Sequence, residues 1–134
     1  MTFAEGVRKA INDETAAARM YAQLADMAPL AAFAARIRCI RDDELHHAHM
    51  FSSFLAMSMA SGPPGPDEGV TAGSFTEGLN AAIAGELDAI RFYAELADMS
   101  PNLDIREHIL CIQKDEMEHA KIFEFMKSVM IGGL

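Results

Sequence analysis

Positive charge is scarce in this chain: 11 Lys and Arg stand against 20 Asp and Glu, for a formal net charge of −9. A surface of that sign does not gather nucleic acid or an anionic membrane, because both are themselves polyanionic. Long apolar runs are missing too. No uncharged apolar stretch reaches 18 residues, so no membrane-spanning helix is expected. The first residues, Met-Thr-Phe-Ala-Glu-Gly, contain no basic segment leading into an apolar run, so no secretory signal is expected either. Cysteine is limited to Cys39 and Cys111, which form no CxxC pair. That excludes a four-thiolate iron centre within the chain and leaves a reducing cytoplasm as the default location. At 134 residues there is room for one domain, 1–134, with a real core.

What the chain has is an internal repeat. Shifted by 72 positions, residues 3–57 fall on 75–129, and 23 of the 55 pairs are identical. Chance in an Ala-rich sequence would give roughly five. The matched pairs include Glu14/Glu86, Tyr21/Tyr93, Pro29/Pro101, Cys39/Cys111, Asp43/Asp115, Glu44/Glu116 and His47/His119. About half the residues are apolar, and the abundance of Ala, Leu, Met and Glu favours helix.

Each copy reads as a helical hairpin. Thr2-x-x-Glu5 and Ser74-x-x-Glu77 are capping boxes at the start of each copy. Pro29 and Pro101 break each copy into two helices. Beyond the turn, Phe33, Ile37, Ile40, Glu44, His47, Phe51 and Phe54 recur at spacings of three and four, and the second copy repeats the stripe. Helices are therefore expected at about 3–27, 31–57, 75–99 and 103–130, with repeat one at 3–57 and repeat two at 75–130. The Gly- and Pro-rich run 58–74 is expected to cross the length of one bundle, since two helices alone close no core. Seventeen extended residues reach about 56 Å, and the helices are roughly 37 Å long. The expected fold is all-α: an antiparallel four-helix bundle of two hairpins joined by a long crossover.

Glu14 lies about as far before the first turn as Glu44 lies after it, so both stand at the same height; Glu86 and Glu116 repeat the relation. His47 and His119 follow Glu44 and Glu116 by three residues, on the same helical face. Apolar stripe neighbours point that face inward, where four unpaired carboxylates would cost several kcal/mol each, on the order of a buried ion's penalty. Two divalent cations would neutralise them. Four Glu and two His arranged as two Glu-x-x-His pairs are the di-iron and di-manganese carboxylate pattern. Oxygen and imidazole donors suit iron, with manganese as the alternative, and the lack of thiolates speaks against a soft metal.

This pattern resembles the ferritin-like superfamily, in particular the rubrerythrin di-iron domain and also bacterioferritin. The resemblance implies two metal ions per chain. Glu14 and His47 would serve one ion, Glu86 and His119 the other, and Glu44 and Glu116 would bridge both. It further implies that Tyr21 and Tyr93 bond a carboxylate near the site, and that Asp43 and Asp115 accept the second N–H of a ligand His. It departs from rubrerythrins at Ala89, where they carry an additional Glu, and in having no rubredoxin domain, and from cage ferritins in having no short fifth helix. The C-terminal Ile-Gly-Gly-Leu offers a docking peptide for a larger shell. The activity implied is an oxidoreductase, peroxidase or ferroxidase in type, which takes peroxide or dioxygen as oxidant and draws on a separate electron-donor protein. Two other readings stay open: an iron-binding, storage or delivery module without turnover, and a metal-stabilised interaction bundle.

Around the site, Cys39 and Cys111 read as small buried apolar residues, and His46, His49 and His108 as solvent-facing. Arg19 and Arg91 are expected to pair with acids such as Asp26 and Asp98. Leu103, Leu110 and Met117, off the ligand stripe, could pack on neighbouring helices or supply a homodimer face.

Overall fold

The computed structural model describes residues 1–57 and 72–133. It contains four helices: α1 (Phe3–Met27), α2 (Ala31–Met57), α3 (Phe75–Asp98) and α4 (Leu103–Gly132). The boundaries follow local chemistry. The Thr2 hydroxyl accepts the Glu5 N–H at 3.1 Å, and the Ser74 hydroxyl accepts that of Glu77 at 3.2 Å. Asn102, which the sequence reading passed over, caps α4 by accepting the Ile105 N–H at 2.9 Å. Each such cap contributes about 1 kcal/mol. α1 stops at Ala28, whose φ of −65° and ψ of 133° are the extended values forced on a residue before proline.

α1 packs on α2 and α3 on α4 as two hairpins, with sparser contact between α1 and α3 and between α2 and α4. Neighbours are antiparallel. Gly6, near the start of α1, lies against Leu96, near the end of α3, and Gly78 lies against Leu24 in the mirrored arrangement. Phe54 meets His108 edge-on at one end of the bundle, while Phe75 stacks on Phe33 at the other. Met57 and Phe75 therefore stand at opposite ends, as a crossover requires. The expected crossover itself, 58–74, lies outside the described residues from 58 to 71.

The core is two apolar clusters. One gathers Val7, Phe51, Leu96 and Ile109; the other gathers Leu24, Ile37, Leu79 and Phe123. A side chain such as Phe123, with no exposed surface, contributes about 1.5–3 kcal/mol by burial. Between the clusters, at mid-bundle, lie the buried polar residues: Glu14, Glu44, His47, Glu86, Glu116 and His119.

Some sequence expectations are corrected. Cys39 and Cys111 are exposed. Five residues are about 500° of helix, which turns each thiol roughly 140° from the ligand Glu and onto the outer face. Arg91 reaches Asp88 at 2.6 Å, one turn away, and Asp98 pairs with Arg106 at 3.8 Å, so an Arg91–Asp98 pair is not made. The nearer partner needs less of the side chain's freedom to be fixed. His46, His49 and His108 face solvent as expected. Leu103 and Met117 are exposed, whereas Leu110 packs partly buried against a core cluster. No described helix is long and apolar enough to cross a membrane.

Candidate metal centre

One residue in each helix starts the site: Glu14 on α1, Glu44 on α2, Glu86 on α3 and Glu116 on α4. Each carboxylate is about 1% exposed, as is His47, and His119 is 3% exposed. The structure brings all six side chains together as two overlapping groups. Glu14, Glu44, His47 and Glu116 form one; Glu44, Glu86, Glu116 and His119 form the other. Within each group the facing atoms lie within 4.8 Å of one another, and Glu44 and Glu116 belong to both.

The histidines present Nδ1 to the carboxylates. His47 Nδ1 is 3.1 Å from Glu116 and 3.3 Å from Glu14. His119 Nδ1 is 2.8 Å from Glu44, 3.5 Å from Glu116 and 3.7 Å from Glu86. Nε2 points the other way. His47 Nε2 lies 2.8 Å from Asp115, and His119 Nε2 lies 2.8 Å from Asp43. The tyrosine hydroxyls complete the frame: Tyr21 donates to Glu86 at 2.6 Å, and Tyr93 donates to Glu14. All four of these bonds cross between repeats. The sequence reading placed these tyrosines and aspartates beside the site but did not pair them across the halves.

Burial sets the electrostatics. It raises the carboxyl groups of Glu14 and Glu44, and the charges of Glu14 and Glu116 push Glu44 up further. Glu86 is raised to about 8, chiefly by burial, against the opposing hydrogen bond of His119. Burial also acts to raise Glu116, but its contacts with His119 and His47 outweigh that and hold it low. For the histidines burial acts downward and the carboxylates win. His47 rises to about 11 through Glu116 and Glu14, and His119 to about 10 through Glu116 and Glu86. Burial, joined by the neighbouring carboxylate charges, lifts both tyrosines well above their ordinary range, so they stay donors. Without cations the cluster is therefore stable only by retaining protons.

A pair of divalent ions fits these residues. Glu44 Oε1, Glu86 Oε2, Glu116 Oε1 and His119 Nδ1 are buried with no partner in hydrogen-bonding geometry, although some lie close together. Buried polar atoms without partners are costly unless something else satisfies them. Converging oxygen and imidazole atoms that face a common centre rather than each other are the donor set of iron or manganese. Asp43 and Asp115, by holding Nε2, leave Nδ1 free to ligate.

A cavity of 320 Å³ between α1 and α3 reaches this centre. Nothing in the spacing of the ligand stripe announces it. The available signal was an alanine three residues after the α1 and α3 glutamates, Ala17 and Ala89, on the same helical face.

A family model described as Rubrerythrin matches residues 77–133, the second repeat. A Bacillus subtilis (strain 168) protein described as "Uncharacterized protein YhjR" is 30% identical over 117 residues, which is 87% of this chain and 81% of that one. No solved structure gives a significant match. With four helices, two repeated Glu-plus-ExxH hairpins and this likeness, the chain belongs to the rubrerythrin family of the ferritin-like superfamily.

Proposed function

We propose that this chain is a di-iron oxidoreductase that reduces peroxide or dioxygen as Fe(II) is oxidised to Fe(III). The observation that carries the reading is the overlap of two buried ligand groups that share Glu44 and Glu116. Two ferrous ions held there would supply two electrons, one each, to a single small oxidant.

The chain's own residues do the rest. Glu44 and Glu116 would serve both ions, while Glu14 with His47 and Glu86 with His119 would complete one each. Four carboxylates balance the charge of two divalent ions, which removes the need for the protons the metal-free cluster retains. Asp43 and Asp115 fix the imidazole orientation, and the Tyr21 and Tyr93 hydroxyls hold Glu86 and Glu14 in place. Apolar packing on either side closes the centre along the bundle axis, and the cavity between α1 and α3 would give the oxidant its approach. Manganese suits the same donors; membership of the rubrerythrin family favours iron. Turnover calls for a separate electron-donor protein, and the two exposed thiols suit a reducing cytoplasm.

The test is metal content per chain, followed on the Fe(II)-loaded protein by stopped-flow absorbance with peroxide and with dioxygen. Two irons per chain and a ferric band that forms and is re-reduced over many cycles are expected. Loading followed by one oxidation and no turnover would replace this reading with an iron-binding, storage or delivery module. Metal that changes folding but supports no oxidation would indicate an interaction bundle.

A further inference from the structure

The cavity between α1 and α3 is larger than a diatomic oxidant or hydrogen peroxide needs. A water molecule occupies roughly 30 Å³, so 320 Å³, which includes the room two ions would fill at the floor, is on the order of ten of them. Glu14, Glu44, Glu86 and Glu116 form its floor, with Tyr21 and Tyr93 beside them. The walls are small or apolar: Ala17, Ala81, Gly85 and Ala89, with Met20 and Phe92. Lys9, Asp13 and Asp88 line the mouth, with the Lys9 ammonium 2.5 Å from Asp13 and 4.6 Å over the Phe92 ring. An apolar-walled pocket of this volume, with polar groups gathered at one end, is the ordinary form of a site for an organic ligand.

We propose that this cavity binds an organic hydroperoxide, with its apolar body against the walls and its –OOH group towards the carboxylate floor. The proposal deepens the oxidoreductase reading and rests on it. Four carboxylates with two divalent ions are neutral in sum, which favours a neutral head group over an anionic one. A mouth bearing both signs of charge selects against neither. The reaction balances as ROOH with two electrons and two protons giving ROH and water. The O–O bond breaks, one oxygen stays on the organic body as the alcohol, and the other leaves as water. Two ferrous ions held by the six Glu and His residues would supply the two electrons, and solvent the two protons. Ala17 and Ala89 determine the size of the substrate, because a long side chain at either position would occupy the space of the organic body.

The probe is 2-phenylpropan-2-ol, the alcohol left by cumene hydroperoxide, titrated into protein loaded with redox-silent zinc and followed by methyl NMR. Saturable shifts at Ala17, Ala89 and Met20 are expected, and their loss in Ala89→Leu. With iron-loaded protein, the ratio of kcat/KM for cumene hydroperoxide to that for hydrogen peroxide should fall about tenfold or more in Ala17→Leu and Ala89→Leu. No saturable shift in the parent protein, or an unchanged ratio in both variants, would overturn the proposal. If hydrogen peroxide turns over while cumene hydroperoxide neither binds nor reacts, this inference fails and the oxidoreductase reading stands. If the alcohol binds but neither peroxide turns over, the oxidoreductase reading fails and takes the substrate role with it.

Discussion

At the scale of the residue, each buried histidine has two nitrogens with different duties. Nδ1 faces the carboxylates, and Nε2 is held by an aspartate that is itself half exposed. Asp43→Asn and Asp115→Asn should keep the fold but weaken metal affinity about 10–100-fold, measured by competition with a chelator. Replacing a shared ligand should do more than replacing an unshared one. Glu44→Ala with Glu116→Ala removes a donor from both groups and should abolish binuclear loading, whereas Glu14→Ala should spare the site around His119. Equal metal content in all three proteins would contradict that assignment. That these six side chains gather at mid-bundle was legible in the sequence because a repeat and an inward stripe together fix height and face. Which Asp serves which His, and which Tyr serves which Glu, was not legible: that depends on how two hairpins dock, and no spacing within one hairpin encodes it. Cys39 was misread because the tendency of cysteine to be buried was preferred to its angle on the helix.

At the scale of the element, helix ends were readable to within a residue where a hydroxyl cap or a proline marks them, the start of α4 at Leu103 included although its cap is Asn102. The end of α4, which no such signal marks, was readable to within two residues. Closeness between helices was not readable. A Cβ added to Gly78 would stand 2.4 Å from a Leu24 methyl and 3.1 Å from Ala72, and Leu24 is fully buried and has nowhere to retreat. Gly78→Ala should therefore cost about 1–3 kcal/mol in overpacking, only partly offset by about 1 kcal/mol of helix propensity. Gly85 has nothing within 4 Å of such a Cβ, so Gly85→Ala should be neutral or stabilising by up to about 1 kcal/mol. Urea unfolding of the two variants checks the contrast; equal effects would mean that the α1–α3 approach is looser than described. The same reasoning explains why the cavity escaped the sequence reading. Alanine reads as a helix former, and a void appears only when two alanine-lined faces meet.

At the scale of the whole molecule, stability should depend on pH in a direction fixed by the metal-free cluster. His47 and His119 titrate near 11 and 10 in the fold, against 6.5 in an unfolded chain. Their contribution is complete below pH 6.5 and is lost as the pH climbs through those values. Glu86, at about 8, has the same sign, since the fold keeps a proton that the unfolded chain has released. Glu116, held low, acts oppositely, but only in acid, where its contribution is lost. Thermal unfolding of metal-free protein should accordingly show a Tm that falls between pH 6.5 and 10. Metal-loaded protein, whose cations replace those protons, should show a higher and flatter profile and release protons as it loads. A metal-free Tm that rises over this range would contradict the account. The bundle class was legible at this scale from the duplication, and the sense in which the hairpins pack from the length of 58–74, which is enough to cross the bundle.

The four bonds that cross between repeats also make the two halves depend on each other. A lone hairpin would carry a tyrosine and an aspartate with nothing of its own to orient, and half the ligands of a pair of ions. Two copies facing each other supply both. Each repeat therefore holds in place the side chains of the other, and neither completes the frame by itself. At the six buried Glu and His the two repeats are alike. Along the cavity they are not: Lys9 corresponds to Ala81, Asp13 to Gly85 and Met20 to Phe92. A site repeated about a twofold axis is thus reached through a cavity that does not share that symmetry.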